Sequence, residues 1–245
     1  MSETPSLSFD AIGMTFPDGT VALENVAFTV APGEFVTIVG PSGCGKSTLL
    51  RIASGLETAT AGRCDVDRTS LGYVFQDSTL LPWRTVARNI ELFAELNAVP
   101  KAERTSRVAE AVDLVGLDGF ADKHPRQLSG GMKMRASLAR SLVMQPNLFL
   151  FDEPFGALDE ITREKLNDDL LRLFTSRRFA SLFITHSISE AVYLSTRVLV
   201  MSPRPGRITH QFDIPFGVSR SHDLRYTPEF AHLCGAISQA MRSSS

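Results

Sequence analysis

The 245-residue sequence has few cysteines, no marked excess of either charge and no long apolar run. Its three cysteines, Cys44, Cys64 and Cys234, are scattered, which argues against a disulfide framework or a cysteine-based metal site and indicates a reducing cytosol. The formal net charge of -2 leaves no basic excess, so a nucleic-acid partner is not expected.

Direct membrane insertion is not expected either. No segment approaches the roughly 18 uncharged apolar residues that a membrane-spanning helix needs. Residues 1–5 lack the basic start and the apolar run of a signal peptide. We therefore expect the chain to reach a membrane only through a partner. The length is sufficient for one large core or for a core with a subdomain.

Residues 40–48 match the phosphate-binding loop pattern G-x-x-x-x-G-K-[ST]. An apolar, β-branched segment precedes them and an apolar segment at helical spacing follows, which is the strand–loop–helix context that the motif requires. A chance glycine-rich turn is the alternative, and this context disfavours it. The motif consists of Gly40, Pro41, Ser42, Gly43, Cys44, Gly45, Lys46, Ser47 and Thr48.

The residue types of this loop suit a nucleotide. Glycine lets the backbone approach a phosphate chain, and successive N–H groups at a helix N-terminus bind anions. Lys46 would bind the β- and γ-phosphates, and the Ser47 hydroxyl would bind a nucleotide-bound Mg²⁺. Cys44 occupies a free position of the pattern and is interpreted as a small filler rather than a reactive thiol.

Polar residues follow three predicted strands. Asp152 and Glu153 end one apolar strand, Gln76 ends another, and His186 ends a third. The carboxyl ends of strands in open α/β sheets face the ligand crevice. Asp152 would then reach Mg²⁺, usually through water, and Glu153 would polarise an attacking water as general base. Each residue has an alternative interpretation. Asp152 and Glu153 could cap the next helix, Gln76 could be a surface residue, and His186 could be structural.

A second anion site is predicted at Ser129, Gly130 and Gly131. Ser129 is a good N-cap candidate, and each glycine in the first helical turn costs roughly 1 kcal/mol in helix propensity. Such a site often lets another group approach the backbone, although a capped helix with two loose glycines is the alternative. Phe16, before a turn, is either a core residue or an exposed ring on which adenine stacks.

Hydrophobic periodicity predicts an α/β core with a helical insertion. Strands are predicted over 6–16 and 26–30, and there is little strand signal between about 78 and 145. Within that insertion, helices are predicted over 85–96 and 101–115. Further predicted elements are a helix over 160–175, strands over 197–201 and 207–212, and a terminal helix that begins at Thr227 and Pro228.

These motifs, in this order, resemble those of the ATP-binding subunit of an ABC transporter, over nearly the whole chain from Phe16 to about Phe212. The resemblance implies a P-loop NTPase, RecA-like α/β core with an N-terminal antiparallel β subdomain and an inserted α-helical subdomain. It divides the chain into a discontinuous nucleotide-binding core (1–77 and 146–215), a helical signature subdomain (78–145) and a C-terminal helical tail (216–245).

The resemblance also implies ATP and Mg²⁺ as cofactors and a head-to-tail homodimer. Each nucleotide would lie between one chain's phosphate loop and the other chain's Ser129, Gly130 and Gly131. By family analogy Phe16 stacks on adenine, Lys46 binds the phosphates, and Ser47 and Asp152 support Mg²⁺. Gln76 senses Mg²⁺ and the attacking water, Glu153 is the general base, and His186 contacts the γ-phosphate. Asp159 acts across the dimer interface.

The loop Leu80, Leu81, Pro82 and Trp83 is apolar, and it is either tucked into the core or forms a docking patch. The loop resembles the corresponding loop of the ABC importers that serve nitrate, sulfonate, taurine and related small solutes. In those importers, this region forms the groove that binds the membrane permease. The resemblance therefore implies a peripheral position on the cytoplasmic face of the plasma membrane and an indirect partnership with an extracytoplasmic solute-binding protein.

Several positions depart from the family pattern. Phe16 stands where tyrosine is common, and Met132 and Met134 stand where glutamine is frequent or usual. The segment 63–70 is short, so we expect a trimmed antiparallel hairpin there. No departure removes a catalytic group.

Two other functions remain as alternatives. A soluble ABC ATPase of DNA repair, chromosome organisation or translation would need long coiled coils or two cassettes, and neither is visible in the sequence. A plain P-loop kinase or GTPase would leave Ser129, Gly130, Gly131 and His186 unexplained.

Overall fold

The computed structural model describes residues 4–244 and contains two β-sheets and a set of helices. Residues 1–3, part of the stretch that lacks signal-peptide features, lie outside the described residues. The strands are β1 (Leu7–Thr15), β2 (Val21–Val30), β3 (Phe35–Val39), β4 (Ala61–Val66), β5 (Leu71–Val74), β6 (Leu148–Asp152), β7 (Ala180–Ile184), β8 (Arg197–Met201) and β9 (Ile208–Asp213). The helices are α1 (Lys46–Ser54), α2 (Val86–Leu96), α3 (Lys101–Leu114), α4 (Gly130–Leu142), α5 (Glu160–Arg177), α6 (Ile188–Leu194) and α7 (Pro228–Ser243).

The larger sheet has six strands in the order β5-β6-β7-β3-β8-β9. The first five strands in that order are parallel, and β9 pairs antiparallel with β8. The carboxyl ends of β3, β6 and β7 therefore meet at one edge, and β7 lies between the other two. This confirms the predicted α/β class and brings the strand-end residues to a common edge.

Both faces of this sheet are buried, as the continuous apolar runs of its strands indicate. Phe35 and Val39 of β3 belong to a core cluster that includes side chains of α2, α4, α5 and α7. Val36 and Ile38 of the same strand belong to a second cluster formed with α1 and the smaller sheet. Alternate side chains of one strand thus pack into two different cores, and the strand ends are left as the accessible edge.

The smaller, antiparallel sheet has the order β2-β1-β4. The prediction that its second strand begins at residue 26 is wrong, because β2 begins at Val21. Its register against β1 shifts near Ile12, and Asn25 has a φ of 50°, which marks a bulge. A bulge interrupts the two-residue alternation on which sequence patterning depends, so the first half of the strand was missed. The short segment after residue 60 still forms β4, which pairs with β1.

Between β5 and β6 the described chain contains no strand, as predicted, and the helices α2, α3 and α4 pack against one another. Thr85 and Ser129 cap α2 and α4 through their side chains. Gly116, with a φ of 62°, follows the end of α3, where a left-handed residue suits a helix terminus. We refer to residues 78–145 as the helical segment.

Among residues 4–244, Arg220 makes the largest set of hydrogen bonds between the C-terminal segment and the elements before it. Arg220 donates hydrogen bonds to carbonyl groups around the end of α6 and in the segment after β9, and burial lowers the pKa of its guanidinium to about 10. These carbonyls include the negative end of the α6 dipole, which favours a cation. The acceptors are the carbonyl groups of Val192, Tyr193, Ser195, Phe216 and Gly217.

Replacement of Arg220 with alanine should destabilise the protein, because several carbonyl groups lose their donor at once. We expect Arg220→Ala to lower the free energy of unfolding by about 2 kcal/mol in urea denaturation. Arg242→Ala removes an exposed arginine from α7 and is the control, with an expected change within about 0.5 kcal/mol. Equal stability of the two variants would contradict this role of Arg220.

Candidate functional site

The phosphate-binding loop lies between β3 and α1, as predicted, and Lys46 is buried within it. Only 5% of the Lys46 surface is exposed, and its ammonium group donates hydrogen bonds to the carbonyl oxygens of Gly40 (2.9 Å) and Pro41 (3.0 Å). Within residues 4–244, no carboxylate forms an ion pair with this ammonium group. The other partner of the ammonium group is the Cys44 sulfur at 3.9 Å. A buried cation whose partners are all uncharged is suited to an anionic ligand.

The N-terminus of α1 has the shape that the loop pattern requires. Gly45 precedes the helix with a φ of 107°, and a Cβ there would lie 2.6 Å from a Leu23 side-chain carbon, so only glycine fits. Cys44 is 1% exposed, and burial raises the pKa of its thiol. This supports the interpretation of Cys44 as a filler, because a buried, protonated thiol is a poor nucleophile.

Asp152 lies beside the start of α1. Its carboxylate accepts a hydrogen bond from the Ser47 hydroxyl (2.8 Å) and another from the Tyr73 hydroxyl (3.2 Å). The pKa of Tyr73 is raised by burial and by the neighbouring Asp152 charge, so the phenol remains a donor. Hydroxyl and carboxylate oxygens are ligands that Mg²⁺ accepts. Among the described residues, no group of three or more acidic, histidine or cysteine side chains is placed to hold a metal ion, so such an ion would depend on ligand phosphates and water for its other positions.

Glu153 and His186 are in direct contact. The Glu153 carboxylate lies 3.0 Å from Nδ1 of His186. This contact links the end of β6 to the end of β7. Glu153 has a φ of 45°, and its backbone N–H donates to the carbonyl of Ile184. When the carboxylate is ionised it can only accept, so Nδ1 of His186 carries the proton and Nε2 is directed elsewhere. This contact orients both side chains at the sheet edge.

Two predicted residues lie at the margin of the site. Gln76, after β5, is exposed, and within residues 4–244 its side chain makes no hydrogen bond. Phe16 closes the turn between β1 and β2, where it is partly buried against the second core cluster. Part of its ring therefore remains accessible, which is compatible with either of the two interpretations of this residue.

The structure does not bring Ser129, Gly130 and Gly131 to the phosphate loop of the same chain. No hydrogen bond or ion pair within residues 4–244 joins the two groups, and Gly131 packs on α5 instead. A Cβ at Gly131 would lie 2.8 Å from a Thr162 methyl carbon, which gives this glycine a packing reason. Ser129 accepts a hydrogen bond from the N–H of Met132 and is itself exposed.

Asp159 caps α5 rather than contacting the phosphate loop. Its side chain accepts a hydrogen bond from the N–H of Thr162 (3.0 Å), and this bond is the main reason for the lowered pKa of Asp159. Asp159 is exposed. Like Ser129, it therefore remains available to a group outside this chain.

The apolar loop after Gln76 is anchored at its base and exposed at its tip. Arg140 of α4 donates to the carbonyls of Ser78 (3.1 Å) and Thr79 (2.9 Å), while Leu80 packs against the larger core cluster. Trp83 is 71% exposed. The start of the loop is thus tucked into the core, as one interpretation predicts, and the docking patch stays a prediction for its exposed end.

Sequence reasoning missed three residues that organise the site. Tyr73 lies in β5 and Arg140 in α4, and no sequence pattern marked either side chain. Asn89 is fully buried in α2, where its amide bonds both backbone groups of Leu81 and the carbonyls of Arg84 and Thr85. A polar residue on the apolar face of α2 was the one available signal for Asn89.

A family model described as "ABC transporter" matches residues 23–156, which is more than half of the chain. The chain belongs to the ABC transporter family. This ABC cassette is 42% identical over 237 residues to the taurine import ATP-binding protein TauB of Rhizobium johnstonii, with 91% of this chain and 90% of that protein covered. It is 40% identical over 235 residues to the nitrate import ATP-binding protein NrtD of Synechocystis, with 91% and 88% covered.

A solved structure extends the likeness to three dimensions. The dimeric, post-hydrolysis state of the ATP-binding cassette MJ0796 bound to ADP and phosphate has a TM-score of 0.76 and 31% identity, and the match covers 86% of this chain and 100% of that chain. The protein is therefore an ATP-binding cassette and an ATPase, which excludes the plain P-loop kinase or GTPase alternative. Within residues 4–244 of this ABC cassette, no helix is both long and apolar enough to cross a bilayer.

Tyr73→Phe tests how far the carboxylate of Asp152 depends on its second donor. Phenylalanine keeps the ring stacked on Phe75 but removes the hydroxyl. We expect the Mg²⁺ concentration that supports half-maximal ATPase activity to rise by about two- to fivefold, because one net hydrogen bond is worth about 1 kcal/mol. Tyr226→Phe removes an exposed hydroxyl from the tail and is the control. An unchanged Mg²⁺ requirement in Tyr73→Phe would contradict this role.

Proposed function

We propose that this protein is the ATP-binding and ATP-hydrolysing subunit of an ABC importer, and that it energises uptake of a small organic or anionic solute through a separate membrane permease. The observation that carries the nucleotide part is the buried Lys46 ammonium group, which has carbonyl partners but no ion-paired carboxylate among residues 4–244. A polyphosphate chain would supply the missing negative charge.

In this proposal, the phosphate loop binds the phosphates through its N–H groups and through Lys46. Phe16 presents its accessible ring to adenine. Ser47 and Asp152, whose side-chain oxygens lie 2.8 Å apart, would hold a nucleotide-bound Mg²⁺. Gln76 is assigned to sensing this ion and the attacking water. When bound, this ion would neutralise charge on the phosphates during transfer to water.

Hydrolysis is assigned to the pair formed by Glu153 and His186. Glu153 accepts a proton from the attacking water as general base. His186 holds the Glu153 carboxylate through Nδ1 and directs Nε2 toward the γ-phosphate. Because the residues extend from neighbouring strands of a rigid parallel sheet, their mutual position is set before substrate binds.

The complete site requires a second chain. Ser129, Gly130 and Asp159 are exposed, and Ser129 begins a 13-residue helix whose N-terminal N–H groups favour an anion. A head-to-tail homodimer would bring these residues of one chain to the phosphate loop of the other and create two composite ATP sites. The dimeric form of the cassette MJ0796 supports this arrangement.

The segments of the chain then have separate tasks. We assign nucleotide binding and hydrolysis to the discontinuous core of residues 1–77 and 146–215. The helical segment 78–145 is assigned two tasks, which are contact with the permease and, through Ser129 and Gly130, contact with the nucleotide of the partner chain. We assign a stabilising task to the tail of residues 216–245. Its described part, residues 216–244, supports this task through hydrogen bonds to α5 and α6.

Permease docking is assigned to the exposed end of the loop that contains Leu80, Leu81, Pro82 and Trp83. Arg140 and Asn89 anchor the backbone of this loop through hydrogen bonds to carbonyl groups, and an aromatic side chain on an anchored loop suits a protein interface. The cassette would lie on the cytoplasmic face of the plasma membrane and would meet the solute-binding protein only through the permease. The relatives named for taurine and nitrate import favour a small oxyanion as solute.

The hydrolytic assignment is tested with Glu153→Gln, which keeps the shape of the side chain but removes the base. We expect the ATPase rate to fall by about 10²- to 10³-fold, while ATP binding persists and ATP-held dimers accumulate in size-exclusion chromatography. Glu160→Gln, at an exposed position in the first turn of α5, is the control and should retain the wild-type rate. Undiminished turnover in Glu153→Gln would refute the mechanism.

The docking assignment is tested by affinity purification of the tagged chain from native membranes in mild detergent, followed by mass spectrometry. We expect a multi-helix membrane protein to co-purify, and Trp83→Ala to reduce its yield because the apolar anchor is lost. Leu56→Ala removes another exposed apolar side chain, 63% exposed after α1, and should leave the yield unchanged. If only soluble partners are recovered, the ATPase assignment stands and the importer assignment fails.

A further inference from the structure

A turn formed by residues 202–207 braces the phosphate loop from outside. It follows β8, which is the neighbour of β3 in the sheet. The Ser202 hydroxyl accepts a hydrogen bond from the N–H of Arg207 (3.0 Å), and the carbonyl of Arg207 accepts one from the N–H of Ser202 (2.9 Å). We call residues 202–207 the brace turn.

The brace turn is tied to β2 independently of its contact with the phosphate loop. The N–H of Gly206 donates to the carbonyl of Ala22 (2.9 Å), and the N–H of Glu24 donates to the carbonyl of Gly206 (3.1 Å). Arg207 forms an ion pair with Glu24 at 2.6 Å. None of these bonds involves the side chain of Arg204, so we expect the turn to persist when that side chain is replaced.

Two residues of the brace turn contact the phosphate loop. The guanidinium of Arg204 donates to the carbonyl oxygen of Gly43 through Nε (3.3 Å) and Nη2 (3.0 Å). Gly206 lies so close that a Cβ there would be 2.1 Å from the carbonyl oxygen of Cys44. The loop backbone therefore rests against the turn at two consecutive peptide groups.

The carbonyl of Gly43 and the N–H of Cys44 belong to the same planar peptide group and point in opposite directions. Arg204 holds the Gly43 carbonyl toward the brace turn, so the N–H of Cys44 points away from the turn and into the phosphate loop. There this N–H makes only a long contact of 3.4 Å with the carbonyl of Pro41. A charged donor also polarises the peptide, which makes its N–H a stronger donor.

We infer that Arg204 is a positioning residue for nucleotide binding, which orients and polarises the Gly43–Cys44 peptide so that its N–H is directed at the phosphate chain. The inference rests on the proposed ATP site. Arg204 is exposed and, within residues 4–244, forms no ion pair with a carboxylate, so its positive charge is not cancelled locally. That charge also contributes to the lowered pKa of Asp18, although hydrogen bonds from Thr20 are the main cause.

The test compares Arg204→Ala, Arg204→Lys and the control Arg242→Ala, which removes an exposed arginine from α7. ATP and ADP dissociation constants are measured by titration calorimetry, and KM and kcat by steady-state ATPase assays. We expect Arg204→Ala to raise both dissociation constants and KM by about tenfold, the effect of one charge-assisted hydrogen bond, with kcat within about twofold of wild type. Arg204→Lys, which keeps the charge and one donor, should recover most of the affinity, and Arg242→Ala should match wild type.

Wild-type affinity in Arg204→Ala would overturn the inference. A variant whose thermal stability and kcat fall while KM stays unchanged would also overturn it, because Arg204 would then be only a folding residue. A failure of the proposed function is distinguishable from either result. In that case the wild-type chain itself would show no ATP binding, and Lys46→Ala, the reference for a disabled phosphate loop, would behave as wild type does.

Discussion

The buried ammonium group of Lys46 is the constraint on which the nucleotide side of this molecule depends. A buried charge destabilises a fold unless hydrogen bonds or an opposite charge compensate for it. Two loop carbonyls provide part of this compensation, and the loop keeps its shape because strand β3, helix α1 and the brace turn hold it from three sides. An anionic ligand completes the compensation, so ligand binding and local stability are linked.

The parallel sheet determines what surrounds this charge. β7 lies between β3 and β6, so the ends of these strands bring Asp152, Glu153 and His186 to the mouth of the phosphate loop. Both faces of the sheet are covered, and polar groups are therefore accommodated at its edge. The hydrogen bond from Ser47 to Asp152 fixes one carboxylate, and the contact between Glu153 and His186 fixes the other. Both pairs are therefore oriented near the ammonium group of Lys46 before a ligand binds.

Helix α4 connects two surfaces that the proposed function uses together. Ser129 caps its N-terminus, and Arg140 near its C-terminus holds the loop that presents Trp83. A 13-residue helix is about 20 Å long and is hydrogen-bonded along its length. We therefore expect a movement of the Ser129 surface toward nucleotide to be accompanied by movement of the Trp83 surface, which is the coupling that a transport ATPase needs.

Much of the candidate site was predictable because its chemistry is encoded in short, contiguous segments. The phosphate loop, the Asp152–Glu153 pair and the N-cap Ser129 each combine a residue pattern with a local backbone geometry, and the structure has the predicted local arrangement at each one. The bulge in β2 and the partners Tyr73 and Arg140 were not predictable in this way. A bulge breaks the alternation that identifies a strand, and the two side chains act on groups distant in the chain.

The amino-acid sequence alone specified the motifs, the α/β class and the family resemblance. A phosphate site needs glycine, lysine and carboxylate residues at fixed positions within short segments, and such segments can be recognised without the fold. Only the tertiary structure decided which strand ends are neighbours and that Glu153 meets His186. It also decided that Arg204 reaches Gly43. These contacts follow from strand order and packing, which are set by the burial of both sheet faces rather than by any single segment.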